Sequence, residues 1–205
     1  LIDYNKALIQ RNNLFKYFAE NRVWDPSMIE PWDARLAPNA IAISEARKSF
    51  IKKFIPVFNE AYKELSGGIE SVSLEYITKV EGDESAFLEL LIGAREDDRR
   101  FRRSTCGTHK DDLAFKIGGF PMKKFGSQGQ QKTFLVALRL AQLSFLEEAT
   151  GVKPILLLDD IFDKIDDKRV HALLQRITDG SFGQIFITDT HLGRIPEMFK
   201  SIGAD

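Results

Sequence analysis

Three short stretches hold residue types whose spacing suits the chemistry of a nucleoside triphosphate: Phe125-Gly-Ser-Gln-Gly-Gln-Gln-Lys-Thr133, Pro154-Ile-Leu-Leu-Leu-Asp-Asp160 and Gln184-Ile-Phe-Ile-Thr-Asp-Thr-His191. The first is a Gly/Ser/Gln turn opening a long helical pattern. One reading makes it a phosphate loop, G-x-x-x-x-G-K-[ST], which residues 126–133 miss by one position. Gln131 stands where the second glycine is required, and a side chain there obstructs the approach that lets backbone amides cradle phosphate oxygens. A second reading makes Ser127, Gln128, Gly129 and Gln130 a helix-opening turn. Its hydroxyl, its Gly129 amide and the positive end of the helix dipole would then face a phosphate. A plain N-cap without a ligand is the third.

Ile155 to Leu158 is a run of four apolar residues bounded by Pro154 and by Asp159-Asp160, which predicts a central parallel strand buried on both faces. Carboxylates at the C-terminal end of such a strand lie where open α/β sheets bind ligands. Successive side chains diverge, so Asp159 can hold magnesium while Asp160 orients or deprotonates the attacking water. Helix-capping aspartates are the plainer alternative. Asp163 and Asp166 follow, opening a helical pattern through Arg169, Leu173, Leu174 and Ile177. They would be caps in a monomer and interface residues in an ATP sandwich of two protomers. The strand Gln184–Thr188 then delivers Thr190 and His191 beside the carboxylate strand, where a polar group can sense a terminal phosphate, with a histidine of no special role as the equal alternative.

These residues need a framework. Tyr4, Leu8, Phe15 and Phe18 predict an amphipathic helix over 3–21, and Trp24, Pro26 and Pro31 a turn after it. A second helical stretch, 31–65, contains Pro38 and Pro56, which should break or kink it, and Ser66-Gly67-Gly68 stops it. Residues 71–80 alternate as a half-buried strand, and 87–103 return to helical spacing. The end of that helix carries Arg95, Arg99, Arg100, Arg102 and Arg103 around Glu96, Asp97 and Asp98. This is a solvated, salt-bridged face, with a DNA contact through Arg99, Arg100, Arg102 and Arg103 as the alternative. His109, Asp111 and Asp112 could ligate a metal, but neighbours on an extended chain diverge, which favours a structural or DNA-facing loop. Leu113 to Ile117 reads as a strand turning at Gly118-Gly119 into Phe120–Phe125. Leu135, Leu138, Ala141 and Phe145 mark the apolar face of the helix after the Ser127–Gln130 turn, with Val136, Leu140 and Leu143 widening it.

Composition bounds the function. With 29 Lys plus Arg against 30 Asp plus Glu in 205 residues, no general charge draws the chain to nucleic acid, so any DNA contact is a local patch. Cys106 is the single cysteine, which excludes an internal disulfide and a Cys-rich zinc site. The absence of an apolar run of about 18 residues predicts a soluble, cytoplasmic protein with no membrane partner. A helical pattern already runs at Leu1, which suggests a segment preceding it.

The ordered motifs resemble the ATP-binding-cassette class of ATPases that includes structural-maintenance-of-chromosomes and DNA-repair members, and within it the RecF family of bacterial recombination mediators. The resemblance covers essentially the whole chain. It rests on Tyr4-Asn-Lys-Ala-Leu8 with Gln10-Arg-Asn12, on Gly107-x-His-x-Asp-Asp112, on Ser127-Gln-Gly-Gln-Gln131, on Leu156-Leu-Leu-Asp-Asp160 with Asp166 and Arg169, and on Gln184-x-Phe-Ile-Thr188. It implies that Ser127 to Gln130 is the signature motif meeting ATP on an opposite subunit, that Asp159 and Asp160 are the Walker B acids, that Asp163 to Asp166 is the D-loop, and that Thr190 or His191 is the switch. Thr108 stands where the family usually has proline, a change a loop tolerates. The Walker A loop and its lobe are not among these motifs.

The implied fold is α/β: a mainly helical arm over 1–103 and the second lobe of an ABC-type ATPase head over 104–205. The implied activity is ATP hydrolysis in a dimer closed by magnesium ATP on double-stranded DNA near single-strand gaps, with a RecR-type mediator as partner. The 205-residue chain by itself is expected to be inactive. The competing expectations are a self-contained P-loop enzyme using 126–133, and a non-enzymatic DNA- or partner-binding module.

Overall fold

The computed structural model describes residues 1–163, 165–180, 182–191, 193–201 and 203. Contacts divide the chain into two units, Leu1–Ile51 with Glu75–Ala114, and Lys52–Leu74 with Phe115–Asp205. The units interleave in sequence, whereas the arm and lobe expected from sequence are contiguous.

In the first unit, apolar spacing of three and four forms α1 (Ile2–Asn21) and buries Tyr4, Ala7, Phe15 and Phe18. The turn after it contains a short 3-10 segment, Pro26–Met28, capped by the Asp25 carboxylate. The long α2 (Glu30–Ser66) begins in this unit. It runs through Pro38 and Pro56 without a break. Burial of Leu36, Ala37 and Ala40 beside the first proline, and of Phe54 and Phe58 around the second, offsets the helix penalty of about 3 kcal/mol per proline. Pro31 lies in the first turn, where its missing N–H costs nothing.

The stretch 87–103, expected as one helix, is two: α3 (Glu84–Gly93) and α4 (Arg95–Phe101). They meet at Ala94, which closes α3 at φ -85° and ψ -6° just after Gly93, a poor helix former. Tyr4, Ala7, Leu36, Ala37, Val80, Phe87 and Leu91 share one core cluster. At its side, Arg11 is wholly buried. It donates to Asp33 at 2.6 Å, to Asp98 at 2.5 Å and to Ser104 at 2.8 Å.

The second unit takes the end of α2, where Phe58 and Tyr62 pack on Phe134 at ring separations of 4.8 and 6.0 Å. Gly67 and Gly68, at φ 67° and 73°, end the helix in the left-handed region open to glycine. A three-stranded sheet runs in the order β1 (Val72–Ile77), β2 (Asp112–Ile117), β3 (Phe120–Pro121). Ile117 faces Phe120 across the Gly118-Gly119 turn. The second arm of this hairpin stops at Pro121 and becomes a helical turn, α5 (Met122–Phe125), because proline has no N–H to continue the ladder. Then come α6 (Gln128–Thr150), β4 (Leu156–Asp159), α7 (Asp167–Thr178), β5 (Ile185–Thr188) and α8 (Arg194–Ser201).

Burial departs from expectation at two points. On α6, Val136, Leu140 and Ala141 are buried as expected, Leu138, Leu143 and Phe145 are partly buried, and Phe134 and Ala137 join the stripe in place of Leu135, which is half exposed. On β4 only alternate residues are buried: Leu156 and Leu158 are inside, while Ile155 is 59% and Leu157 72% exposed. β4 pairs in parallel with β5, Leu157 opposite Phe186, and Phe186 is 56% exposed. A parallel pair ordinarily has both faces covered. Among the described residues, one face of this pair is open.

Candidate functional site

The start of α6 is built by reciprocal capping. Ser127 Oγ accepts from the Gln130 amide at 3.2 Å, and Gln130 Oε1 accepts from the Ser127 amide at 2.8 Å. Gln128 and Gly129 occupy the first two helical positions, whose amides a helix start leaves without an intrahelical acceptor. The turn is held close from behind. A Cβ on Gly126 would meet the Met122 carbonyl oxygen at 2.8 Å, and Gln131 Nε2 donates to the Gly126 carbonyl at 2.8 Å. Residues 128–133 are therefore helical, and the Gln131 amide bonds to the Ser127 carbonyl at 2.9 Å. A phosphate loop needs such amides turned toward a ligand, so the geometry is that of a capped helix start.

Lys132, the residue the phosphate-loop reading needs, points elsewhere. Its Nζ donates to the Asp160 carbonyl at 2.9 Å and to the Asp163 carbonyl at 2.7 Å. The lysine thus holds the backbone of the loop that follows β4. That loop ends at Asp166, the N-cap of α7, whose carboxylate accepts from the Arg169 amide at 3.1 Å and pairs with Arg169 Nε at 3.0 Å. Capping is thus one function that Asp166 performs in this chain.

Glu70 is a site residue that the sequence reading missed. Its Oε1 accepts from Gln130 Nε2 at 2.9 Å and from Arg169 Nη2 at 2.5 Å, and its Oε2 accepts from the Tyr62 hydroxyl. Arg169 Nη1 also donates to Thr133 Oγ1 at 3.1 Å. Burial alone would raise the Glu70 carboxyl, but the hydrogen bonds from Tyr62, Gln130 and Arg169 outweigh it and hold it below the ordinary carboxylate range. The same burial, with the Glu70 charge, pushes the Tyr62 phenol up. An isolated glutamate in a connecting segment carries no local signal of such a role.

At the end of β4, Asp159 lies opposite Thr188 and accepts its hydroxyl. Asp160 takes φ 46°, a left-handed conformation uncommon for a residue other than glycine, and its amide bonds to the Thr188 carbonyl at 3.2 Å. Both carboxylates are exposed. Beyond β5, Thr190 Oγ1 lies 3.2 Å from His191 Nδ1, and the His191 amide donates to Asp189 at 2.7 Å. The His191 ring is 73% exposed.

In the first unit, Asp98 of the arginine-rich helix is buried on Arg11 and Thr105, which removes it from the solvated face it was expected to share. Arg95 pairs with Asp33 at 3.0 Å. Arg99, Arg100, Arg102 and Arg103 are exposed, with Arg99 over the Trp24 ring. Asp111 accepts from Arg47, Tyr76 and Thr78, and His109 contacts Tyr4 and the Ser104 carbonyl, so this loop is structural. Among the described residues no group of three His, Cys, Asp or Glu could hold a metal. No described helix is long and apolar enough to cross a membrane.

No family model matches the chain. It is 46% identical over 202 residues to the DNA replication and repair protein RecF of Flavobacterium johnsoniae, covering 98% of this chain and 55% of that protein. It is 42% identical over 205 residues to its namesake in Parabacteroides distasonis, covering all of this chain and 54% of that protein. A solved structure of the recombination mediator protein RecF with ATP, in the RecFOR pathway, matches 94% of this chain and 52% of its own, with a TM-score of 0.78 and 27% identity. The corresponding ATPrS structure gives a TM-score of 0.77 and 28% identity. The fold is thus the α/β second lobe of an ABC-type ATPase head with a mainly helical arm. The chain spans about half the length of the curated relatives it matches, and along essentially all of its own length it belongs to the RecF family.

Proposed function

We propose that the chain supplies the signature, carboxylate and switch parts of a composite ATP site in a DNA-repair ATPase that acts in recombinational repair of gapped DNA. The observation that carries this is one continuous set of bonds. Glu70, Arg169 and Lys132 tie a phosphate-competent helix start to the aspartate-bearing loop after a carboxylate strand. The names of the relatives and the ATP-bound neighbour support it.

In this reading residues 104–205 form the second lobe and 1–103 the arm. Ser127 to Gln130 faces ATP held by an opposite subunit. The cap uses a lone pair of Ser127 Oγ, which leaves the hydroxyl proton to donate to a phosphoryl oxygen, and the Gln128 and Gly129 amides add to it. Asp160 polarises the attacking water, Asp163 and Asp166 shape the loop that meets the partner subunit, and Thr190 or His191 senses the terminal phosphate. Asp159 would hold magnesium, whose usual shell of one or two carboxylates plus substrate phosphates fits an exposed strand-end acid without a three-ligand cluster. When bound, that ion neutralises charge developing on the phosphates. The exposed Arg99, Arg100, Arg102 and Arg103 are the candidate contacts to double-stranded DNA. Closure of the ATP dimer on DNA beside a single-strand gap, with a RecR-type mediator, completes the function.

The sequence contains no G-x-x-x-x-G-K-[ST]. The purified 205-residue chain should therefore show no ATP turnover, and turnover that disappears in Asp160→Asn would overturn the composite-site reading. A self-contained phosphate loop would instead make nucleotide binding depend on Lys132, whose ammonium is engaged with backbone carbonyls.

A further inference from the structure

We infer that Glu70 is a positioning residue that locks the Ser127–Gln130 turn to the Asp166 loop, so that the phosphate-facing turn and the partner-facing loop adopt one geometry together. The inference rests on the composite-site reading above. Its basis is what each group must do with its donors and acceptors.

Gln130 has a carboxamide with one acceptor end and one donor end. The Ser127 amide requires the acceptor at 2.8 Å, so the NH2 group must point the other way, and there Glu70 Oε1 receives it at 2.9 Å. A flipped amide would set donor against donor on one side and oxygen against carboxylate on the other. Glu70 therefore selects the amide orientation that completes the capping box. The same oxygen takes Arg169 Nη2 at 2.5 Å. With that nitrogen anchored, Arg169 Nη1 reaches Thr133, one turn into α6, and Nε reaches Asp166 at the start of α7. Three nitrogens of one planar guanidinium meet three different elements, so a rotation of one element strains the others.

The carboxylate is placed to act through its charge. Glu70 and Arg169 side chains are each 15% exposed, so their bond is shielded from water without the full desolvation of a buried pair. Tyr62, itself buried against Phe58 and Phe134, fixes the second carboxylate oxygen and ties the assembly to the aromatic core of this unit. A glutamine at position 70 would keep the volume and much of the hydrogen bonding but lose the charge that holds Arg169.

The experiment uses a protein spanning the full length of the RecF relatives, with Glu70→Gln, Arg169→Gln, their double variant and Ser127→Ala. It reads nucleotide affinity of the monomer, ATP-driven dimerisation, kcat and backbone hydrogen exchange. Glu70→Gln should leave monomer affinity within about twofold, lower kcat and dimer affinity about tenfold, and speed exchange at residues 127–130 and 166–170 together. The double variant should be no worse than either single one. Exchange rising at only one end, additive losses in the double variant, or a fall in activity that merely follows a fall in Tm would overturn the inference. If Ser127→Ala abolishes dimerisation while Glu70→Gln behaves as the parent, the inference fails and the composite site stands. If Ser127→Ala also behaves as the parent, the composite-site reading itself falls.

Discussion

Each unit contains an arginine held by acids, and the two are built differently. Arg11 is fully buried and answered by Asp33, Asp98 and Ser104, with Asn12 and Thr105 completing the surrounding bonds. Arg169 sits at the edge of solvent and is answered by Glu70, Asp166 and Thr133 beside the capped turn. The first network lies beside an apolar cluster and joins α1, α2, α4 and the segment after α4. The second lies in the unit whose parallel strand pair has an open face and whose carboxylates are exposed. Complete burial makes an ionic network a fixed part of a fold, because any rearrangement strands a charge in low dielectric. Partial burial lowers that penalty and permits the small motions that the proposed site between subunits would require.

The contrast is broken most directly by removing one acid from each network. Asp98→Ala leaves Arg11 without its 2.5 Å partner and the Thr105 amide and hydroxyl without their acceptor. It should cost about 3–5 kcal/mol of unfolding free energy in urea. Glu70→Ala should cost about 1–3 kcal/mol. Equal costs would show that the second network is as structural as the first.

The open face offers the next test. Leu158→Ala should lose about 2–5 kcal/mol, whereas Leu157→Ser should stay within about 0.5 kcal/mol, since Leu158 is buried and Leu157 is 72% exposed. A large loss at Leu157 would mean that the strand is covered on both sides in solution, as its sequence suggested.

What could be read from sequence was what is signalled locally. The period of α1, the Gly67-Gly68 stop, the Gly118-Gly119 hairpin and the Ser-x-x-Gln capping turn each declare themselves within a few residues. Glu70 lies 60 residues from Gln130 and 99 from Arg169, so nothing in its own neighbourhood reveals its use. Arg11 likewise has no local signal of its burial, because only the fold brings Asp33 and Asp98 to it. The run Ile155–Leu158 misled for a related reason: four apolar residues satisfy two-sided burial, but which faces are covered depends on neighbouring elements. Lys132 is the lysine a phosphate loop would need, and its reach to the loop after β4 depends on how α6 packs, which no local pattern signals.

On the site side, Ser127 combines two uses that can be separated. Ser127→Ala removes the oxygen that caps α6 and should cost about 1 kcal/mol in stability. Ser127→Asp should restore that stability, since aspartate caps helices as well as serine does, yet it puts a carboxylate where a phosphate is proposed to sit. Thermal unfolding should therefore recover in the aspartate variant while ATP-driven dimerisation of the full-length protein does not. Recovery of both would show that Ser127 acts only as a cap.

The smallest expected effect is a pH dependence that belongs to the second network. The Glu70 carboxyl is held below its ordinary value of 4.5 in the folded chain, so at acidic pH the unfolded chain binds the proton more readily. Stability from this group is complete above about pH 4.5 and declines as pH falls through the depressed folded value. Glu70→Gln has no carboxyl to protonate, so the difference in unfolding free energy between parent and variant should be constant above pH 5 and shrink as acid is added. Urea titrations at half-unit steps from pH 6 to pH 3 measure that difference directly. A difference that stays flat across the range would mean that Glu70 gains nothing from its charge, leaving Arg169 to be held by Asp166 and Thr133 alone.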